Sequence, residues 1–469
     1  MKKLAFMFVV LFAASCSLTG IDLPEIPQVL NIACVGEFES LIPASDNPPP
    51  PELVMQVFEG LTKFDEDLKV VPSLASLWES KDGKMIFHLK DTKFSDGTSL
   101  VADDVVNSLE SLSKTSSSWV VKNVSGFTMF VQGRSGSVLG LEAIDDKTVS
   151  IQTNDAPDYF LEKLATPQAV IWKKDKAYPL GTGIFAIRKF VPGTKVTLLP
   201  NPHSGIKPKL EQVNFFIRST YESAFEDFRQ GRVHIAPIGE DLVKEAQKEA
   251  LGRIATFDAK SFLAIGFNCK SLCFTDGANR KAVASAISFD DPEMIEWLGQ
   301  HEAIPYFFDE NYSCKTKVLS VAVPNGLADF GKIIAGQISK NTGIKTEVAT
   351  YEGDRYIDAL LNGKLDLFVF GMMTNTPDSY EILSVPVSES VISQALGYDT
   401  AGLVKLLKET NAANDRQEAL KKAETLLGDD LPFFQTVRLR SNVVVSVSVS
   451  GYNPSAWGSQ TLENCSLGR

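Results

Sequence analysis

An α/β protein of two or three lobes is the fold the sequence predicts, and three observations predict it. The 469 residues exceed what one ordinary hydrophobic core accommodates. With 44% hydrophobic and 22% charged residues, the composition is that of a folded, soluble chain. The last third alternates strand and helix patterns: Lys317 to Val323 (β), Ala328 to Asn341 (α), Ile344 to Ala349 (β), Arg355 to Asn362 (α) and Leu365 to Phe370 (β). Such alternation predicts a parallel sheet with right-handed crossovers, whose ligands lie beyond the carboxyl ends of the strands.

The chain begins with a targeting segment. Met1-Lys2-Lys3 is basic, Leu4 to Phe12 is apolar, and Ala13-Ala14-Ser15 supplies small residues before Cys16, the pattern of an export signal. The apolar run is about half the ~20 residues that span a bilayer, so it reads as cleaved rather than as an anchor. The placement of Cys16 resembles a bacterial lipobox, which implies lipidation of that cysteine and a lipid-anchored protein of the cell envelope, on its periplasmic or extracytoplasmic face.

Leu23 to Gln28 is proline-punctuated and reads as a tether; Val29 to Val35 reads as a strand. After the proline-rich loop Pro48 to Pro51, Glu52 to Glu59 predicts a helix with Leu53, Val54, Val57, Phe58 and Leu61 on one face and Gly60 ending it. Met85, Phe87 and Leu89 alternate as a half-buried strand. Ser95-Asp96-Gly97 marks a turn before a second helix carrying Val105, Val106, Leu109 and Leu112, and the serine-rich stretch Ser111 to Ser118 reads as a surface loop.

Gly181-Thr-Gly183-Ile-Phe-Ala186 has the G-x-G-x-x-A spacing of a dinucleotide loop. That chemistry requires a helix after the glycines, and here two β-rich runs flank Pro192-Gly193, which reads as a hairpin. Ser219 to Glu222 has the form of a capping box, opening a helix that turns Ala224, Phe225 and Phe228 inward and ends at Gly231. Two further helices, about 400–411 and 415–427, precede a β-rich run through Val447.

The composition and motifs exclude several functions. A net charge of −12 with no long basic run argues against nucleic acid or an anionic membrane as partner. The four histidines, His88, His203, His234 and His301, are scattered, and no G-x-S-x-G, H-E-x-x-H or lactamase set is present, so an enzyme is not expected. Cys269 and Cys273 have the spacing of a zinc half-site without a partner stretch, so packed or paired cysteines are expected, with no metal and no cofactor.

Read in order, five stretches resemble the extracellular solute-binding proteins of ABC importers, of the oligopeptide- and dipeptide-binding class (family 5). They are Glu37 to Pro43; Val57 to Leu61 with Pro72 to Ala75 and Trp78-Glu79; Phe87 to Lys90 with Phe94 to Thr98 and Ala102 to Val105; Gly181 to Gly183 with Asn201-Pro202; and Phe267-Asn268 with Arg280 to Ile287. The likeness runs from about residue 30 to 450. It implies a periplasmic-binding-protein-like fold of two α/β lobes around a cleft, class II in type, with a discontinuous first lobe. The division it implies is 1–16 signal peptide, 17–55 tether and start of lobe I, 56–178 inserted α+β domain, 179–258 lobe I, 259–435 lobe II, and 436–469 a return to lobe I.

The resemblance implies a monomer that closes on a short peptide and hands it to ABC permease subunits, the hinge closure drawing on tighter binding in the closed form. A nickel chelate, haem, a saccharide or a cell-wall peptide is the alternative ligand class, and a surface chaperone a more distant reading. Position by position, it points to Glu37 and Phe38 in the first lobe. In the second it points to Gly371, Met372, Met373 and Asn375, with Asp378 on the next turn. In the family's motif the backbone of Gly371 to Met373 would pair with peptide and an Asp at position 375 would hold the ligand's ammonium. Asn375 offers no charge there. Met372 for Trp, Ile42 for Asp, Ile184 for Pro and His203-Ser204 for an aromatic pair are further departures.

Overall fold

In the computed structural model, which describes residues 26–468 apart from 251, 317, 363–364, 413–414 and 456–461, the first element is strand β1 (Val29–Val35). The export signal, Cys16 and the first half of the expected tether, residues 23–25, lie outside the described residues. Helix α1 (Pro51–Val57) starts on a proline, whose fixed φ suits a first helical position, and buries Leu53, Val54 and Val57 as expected. It does not run on to Gly60. Phe58 turns extended (φ −124°, ψ 157°), and the Glu59 carbonyl accepts the Ile171 N–H at 2.8 Å. Pairing with that neighbouring segment wins over another helical turn and still buries Phe58 and Leu61.

Next comes a unit with its own sheet and core. Strands β2 (Ala75–Lys81) and β3 (Lys84–Leu89), helix α2 (Ala102–Ser111), strands β4 (Leu141–Asp145) and β5 (Thr148–Ile151), and helix α3 (Pro157–Leu164) follow one another. The strands pair antiparallel in the order β2-β3-β5-β4, and Phe87, Leu109 and Phe160 lie in the core beneath. The serine-rich stretch is not a surface loop. Two 3₁₀ turns, Leu112–Lys114 and Ser116–Val120, bury Leu112, Ser113, Ser117 and Val120, and the Thr115 hydroxyl accepts the Ser117 N–H. The Thr115 hydroxyl also donates to the Leu112 carbonyl at 3.0 Å, and such local bonds tie the two turns together, while the Ser113 hydroxyl is buried without a hydrogen-bond partner among the described residues.

The chain then returns to β1. Strands β6 (Phe185–Val191) and β7 (Lys195–Pro200) form the expected hairpin, so a strand and not a helix follows Gly183. Strand β8 (Gln212–Arg218) runs parallel to β1, and helix α4 (Tyr221–Arg229) is capped by Thr220. The capping box lies one residue later than the sequence suggests, with Ser223 rather than Glu222 at its far end. Strand β9 (Ile235–Ile238) follows, and strand β10 (Arg253–Phe267) leads out of the first lobe.

The second lobe contains the expected alternation: β11 (Val318–Pro324), α5 (Ala328–Thr342), β12 (Lys345–Tyr351), α6 (Asp354–Leu361) and β13 (Leu367–Met373), with β11 parallel to both β12 and β13. A short helix α7 (Tyr380–Leu383), helix Ala401–Ala412 and helix α8 (Arg416–Asp430) come before β14 (Phe433–Val445). Cys273 is bonded to Cys314, 41 residues away, and the cores on the two faces are built around Phe267, Phe330 and Val321 on one side and Phe368, Phe370 and Leu407 on the other. Replacing Cys314 with Ser is expected to lower the stability of this lobe by about 2–5 kcal/mol in urea unfolding, as for other native disulfides.

One sheet runs through both lobes, in the order β12-β11-β13-β10-β14-β9-β1-β8-β7-β6. Strands β10 and β14 cross between them. Arg253 to Asp258 pair with Val445 to Arg440 in the first lobe; pairing resumes at Phe262 with Arg438 in the second. Ala259, Lys260 and Ser261 therefore face only Leu439, and a bulge of this kind bends the strand and re-aims its side chains. No helix among the described residues is long and apolar enough to cross a membrane.

Candidate functional site

A cavity of about 650 Å³ opens at this break. The first lobe contributes Ile32, Ala33, Glu52 and Ile238, the crossing strands contribute Lys260, Ser261 and Arg440, and the second lobe contributes Met373, Thr374 and Asn375. The volume suits a small ligand. It lies at the carboxyl end of β9 and beside Ile32 and Ala33 in the middle of β1; the carboxyl ends of strands are where α/β sheets hold ligands.

Strand β13 presents a free edge to this region. It pairs with β10 over its whole length, but with β11 only at Leu367 and Phe368. The Thr374 N–H donates to the Lys260 carbonyl on the β10 side at 2.8 Å, and backbone groups alternate along a strand. The N–H and C=O groups of Gly371 and Met373 are therefore directed away from β10, past the end of the β11 pairing. An extended chain laid along that edge would complete the ladder.

The sequence-predicted residues fall into separate places. Gly371, Met372, Met373 and Asn375 share a second cavity of about 470 Å³ with Glu381 and with Trp119 and Tyr159 of the inserted unit. Met373 is exposed (66%), whereas Met372 packs partly against the lobe's core. Glu37 and Phe38 border a third cavity of about 780 Å³ at the ends of β1 and β8. Glu37 is exposed there; the Phe38 ring is buried and stacked on Phe190 at 6.1 Å, so it serves the first-lobe core. Asp378 does not point freely into any of these spaces. Its carboxylate takes two bonds from the Arg416 guanidinium, at 2.5 and 2.9 Å, and a third from the Tyr380 N–H, so a ligand ammonium would have to displace a guanidinium.

Other charged groups stand closer to the opening than the sequence reading foresaw. The Glu381 carboxylate accepts the N–H groups of Asn375 (2.6 Å) and Thr376 (2.9 Å), and burial pushes its pKa up. Lys260 lines the cavity; burial pulls its ammonium down to about 8, against the opposing pull of Glu381. Glu52 opens into the cavity yet is ringed by protein, and that desolvation raises its carboxyl. His301 Nδ1 accepts the Arg440 N–H at 3.1 Å and burial lowers its pKa, so it is a neutral ring with Nε2–H as donor. A lysine two residues before the apolar run Phe262 to Phe267 is the available sequence signal for Lys260.

The inserted unit touches the second lobe through α3. The Tyr159 and Tyr380 rings lie 5.1 Å apart, and the Arg416 guanidinium sits over Tyr159 at 5.7 Å. Glu162 on α3 is pushed up to about 7, first by burial and then by the Asp378 carboxylate. Its folded-state pKa lies above its ordinary 4.5, so its stabilising share is complete below that value and is lost as pH rises through about 7. Glu162→Gln is accordingly expected to flatten the fall in thermal stability between about pH 5 and 8, as read by calorimetry across that range.

A family model described as bacterial extracellular solute-binding proteins, family 5, matches residues 69–313. The periplasmic oligopeptide-binding protein OppA of Salmonella typhimurium is 23% identical, over 97% of this chain and 95% of its own. Among solved structures, the unliganded open form of the periplasmic murein tripeptide-binding protein MppA is similar with a TM-score of 0.82, at 19% identity over 94% of this chain and 97% of that one. NikA from Brucella suis, solved with Fe(III)-EDTA, gives 0.75 at 17% identity over 94% and 100%.

Proposed function

Because the chain belongs to the bacterial extracellular solute-binding proteins of family 5, we propose that it captures short peptides between its lobes and delivers them to ABC permease subunits in the membrane. The observation that carries this reading is the free edge of β13 beside the interlobe cavity. An edge that bonds to peptide backbone is indifferent to side chains, which suits a general uptake protein. The oligopeptide-binding relative supports the same ligand class. On this reading Gly371, Met373 and Asn375 border the ligand directly. Lobe closure brings Glu37 toward them, and no catalytic step takes part. The domain division at about residues 258 and 436 and a lipid tether on Cys16 complete the proposal. Loss of lipid labelling in Cys16→Ser tests the tether.

Two measurements test the function. Mass spectrometry of small molecules released on denaturing the purified protein should give a ladder of mixed short peptides. A single chelate, haem, saccharide or modified cell-wall peptide would overturn the reading. Met373→Pro removes an edge N–H that β10 does not use, so the fold tolerates it. Peptide affinity is expected to fall about 3- to 10-fold in calorimetry, the worth of one hydrogen bond.

A further inference from the structure

We propose that the cavity between strand β13 and the inserted unit is a side-chain subsite, in which Met372 and Trp119 hold one large apolar or aromatic residue of the captured peptide. The inference rests on the reading above, that a peptide lies along the free edge of β13, and adds which of its side chains is selected. Three observations support it.

The first is the pleat. Successive side chains of a strand point to opposite faces of its sheet. On β13, Leu367 and Val369 enter the core around Phe330, whereas Phe368, Phe370 and Met372 turn to the core around Leu407. Val385 and Ile392 pack with that second core, and together with Phe370 and Met372 they line the cavity of about 470 Å³. The cavity therefore sits on one face of the sheet, beside the stretch of β13 that runs past its pairing with β11. A chain added along that edge continues the pleat, so every second side chain turns toward the cavity and its neighbours turn to the opposite face.

The second is the state of the polar groups in the wall. The Ser384 hydroxyl donates to the Glu381 carbonyl at 2.9 Å and the Ser388 hydroxyl to the Val385 carbonyl at 2.8 Å, while the Ser390 hydroxyl accepts the Ser393 N–H at 3.1 Å. The Glu381 carboxylate holds the N–H groups of Asn375 and Thr376. These bonds stay within the second lobe, so the wall offers a ligand mainly apolar surface. A ligand amide buried there would give up water without equal return.

The third is the material of the two walls and where they come from. Trp119 packs partly against the core of the inserted unit and Met372 partly against that of the second lobe, so they border the cavity from its two sides. An indole presents a face or edge to a ring, and the flexible methionine thioether adapts to a ring or a branched aliphatic chain. A side chain seated between them touches both halves of the molecule, and its burial favours the arrangement that brings them together.

The test is calorimetry with tetra-alanine and its single replacements by Gly, Asn, Leu or Phe at each position. At one position Leu and Phe are expected to bind the wild type about tenfold tighter than Gly or Asn, the worth of burying one such side chain, with the adjacent positions discriminating less than about twofold. Met372→Trp fills the cavity and should cut that preference to about threefold or less. Trp119→Ala should weaken Phe about threefold more than Leu, since it removes the aromatic partner. Either variant that melts as the wild type does decides the point. If no position distinguished Phe from Gly, if adjacent positions discriminated equally, or if a folded variant kept the full preference, this inference would be overturned and peptide capture would stand. If the wild type bound none of the tetrapeptides, peptide capture and this inference would both fall.

Discussion

Asp378→Ala is expected to destabilise the second lobe by about 3–5 kcal/mol, among the largest single effects in the molecule. The Arg416 and Asp378 side chains are 6% and 4% exposed and joined by paired bonds. Removing the carboxylate strands a guanidinium in a buried place. Arg416 opens helix α8, where the helix dipole disfavours a cation, so its position there depends on Asp378. Urea unfolding followed by second-lobe hydrogen exchange measures the loss. The double change Asp378→Leu with Arg416→Met should recover most of it, since apolar replacement of a buried pair is often neutral. Ligand affinity of the folded fraction is the discriminating readout. Unchanged affinity marks Asp378 as part of the scaffold; an affinity loss beyond the stability change would mean that it also reaches the ligand.

Gly181→Ala is the second. A Cβ there would meet the Val57 carbonyl oxygen at 1.9 Å and the Phe58 ring at 2.7 Å, and at Gly183 it would meet the Gln56 oxygen at 2.6 Å. The obstacles are mostly backbone at the end of α1, which cannot step aside as a flexible side chain would. The Gly183 N–H also donates to the Val57 carbonyl at 2.9 Å, tying the two segments together. Overpacking typically costs about 1–3 kcal/mol, and an obstacle made of backbone puts Gly181→Ala at about 3 kcal/mol or more. Urea midpoints against a Gly136→Ala control, whose Cβ meets nothing within 4 Å, give the comparison. A shift no larger than the control's would mean that the hairpin is loosely docked.

The same two glycines show what the sequence could and could not say. Their spacing suggested a phosphate loop, and the alternation after Gly183 was enough to replace that with a hairpin. Their actual duty, close approach to α1, depends on a contact more than 100 residues away in the chain and has no local signature. Likewise the strand-helix alternation of the second lobe was legible because each element carries its own period. The end of α1 was not, because Phe58 to Leu61 satisfy a helical face and are pulled extended by Ile171. At the site, Gly371 to Asn375 could be found by motif. Asp378 could not be told from a ligand anchor without seeing Arg416, and Lys260 became visible only once the register break of β10 put it at the cavity.

The shared sheet has a consequence for how occupancy is signalled. The chain passes between lobes on β10 and β14, and the two passages lie side by side, their pairing interrupted over Ala259 to Ser261 and shifted once more, by one residue, between Leu263 and Ala264. Sliding or shearing the lobes would tear the ladder on both sides of that interruption. Rotation about it is taken up in this sheet by the torsions of Ala259 to Ser261 and Leu439, and outside the sheet it works against contacts such as the Tyr159–Tyr380 ring pair and the Gln300 N–H to Glu240 bond. The ladder thus favours one coordinate for relative motion of the lobes, an angle, and on the proposed function a bound solute would be read as a value of that angle. On the proposed function, a permease that responds to the separation of the two lobes would need no contact with the solute, so one permease would serve every ligand that sets the same angle.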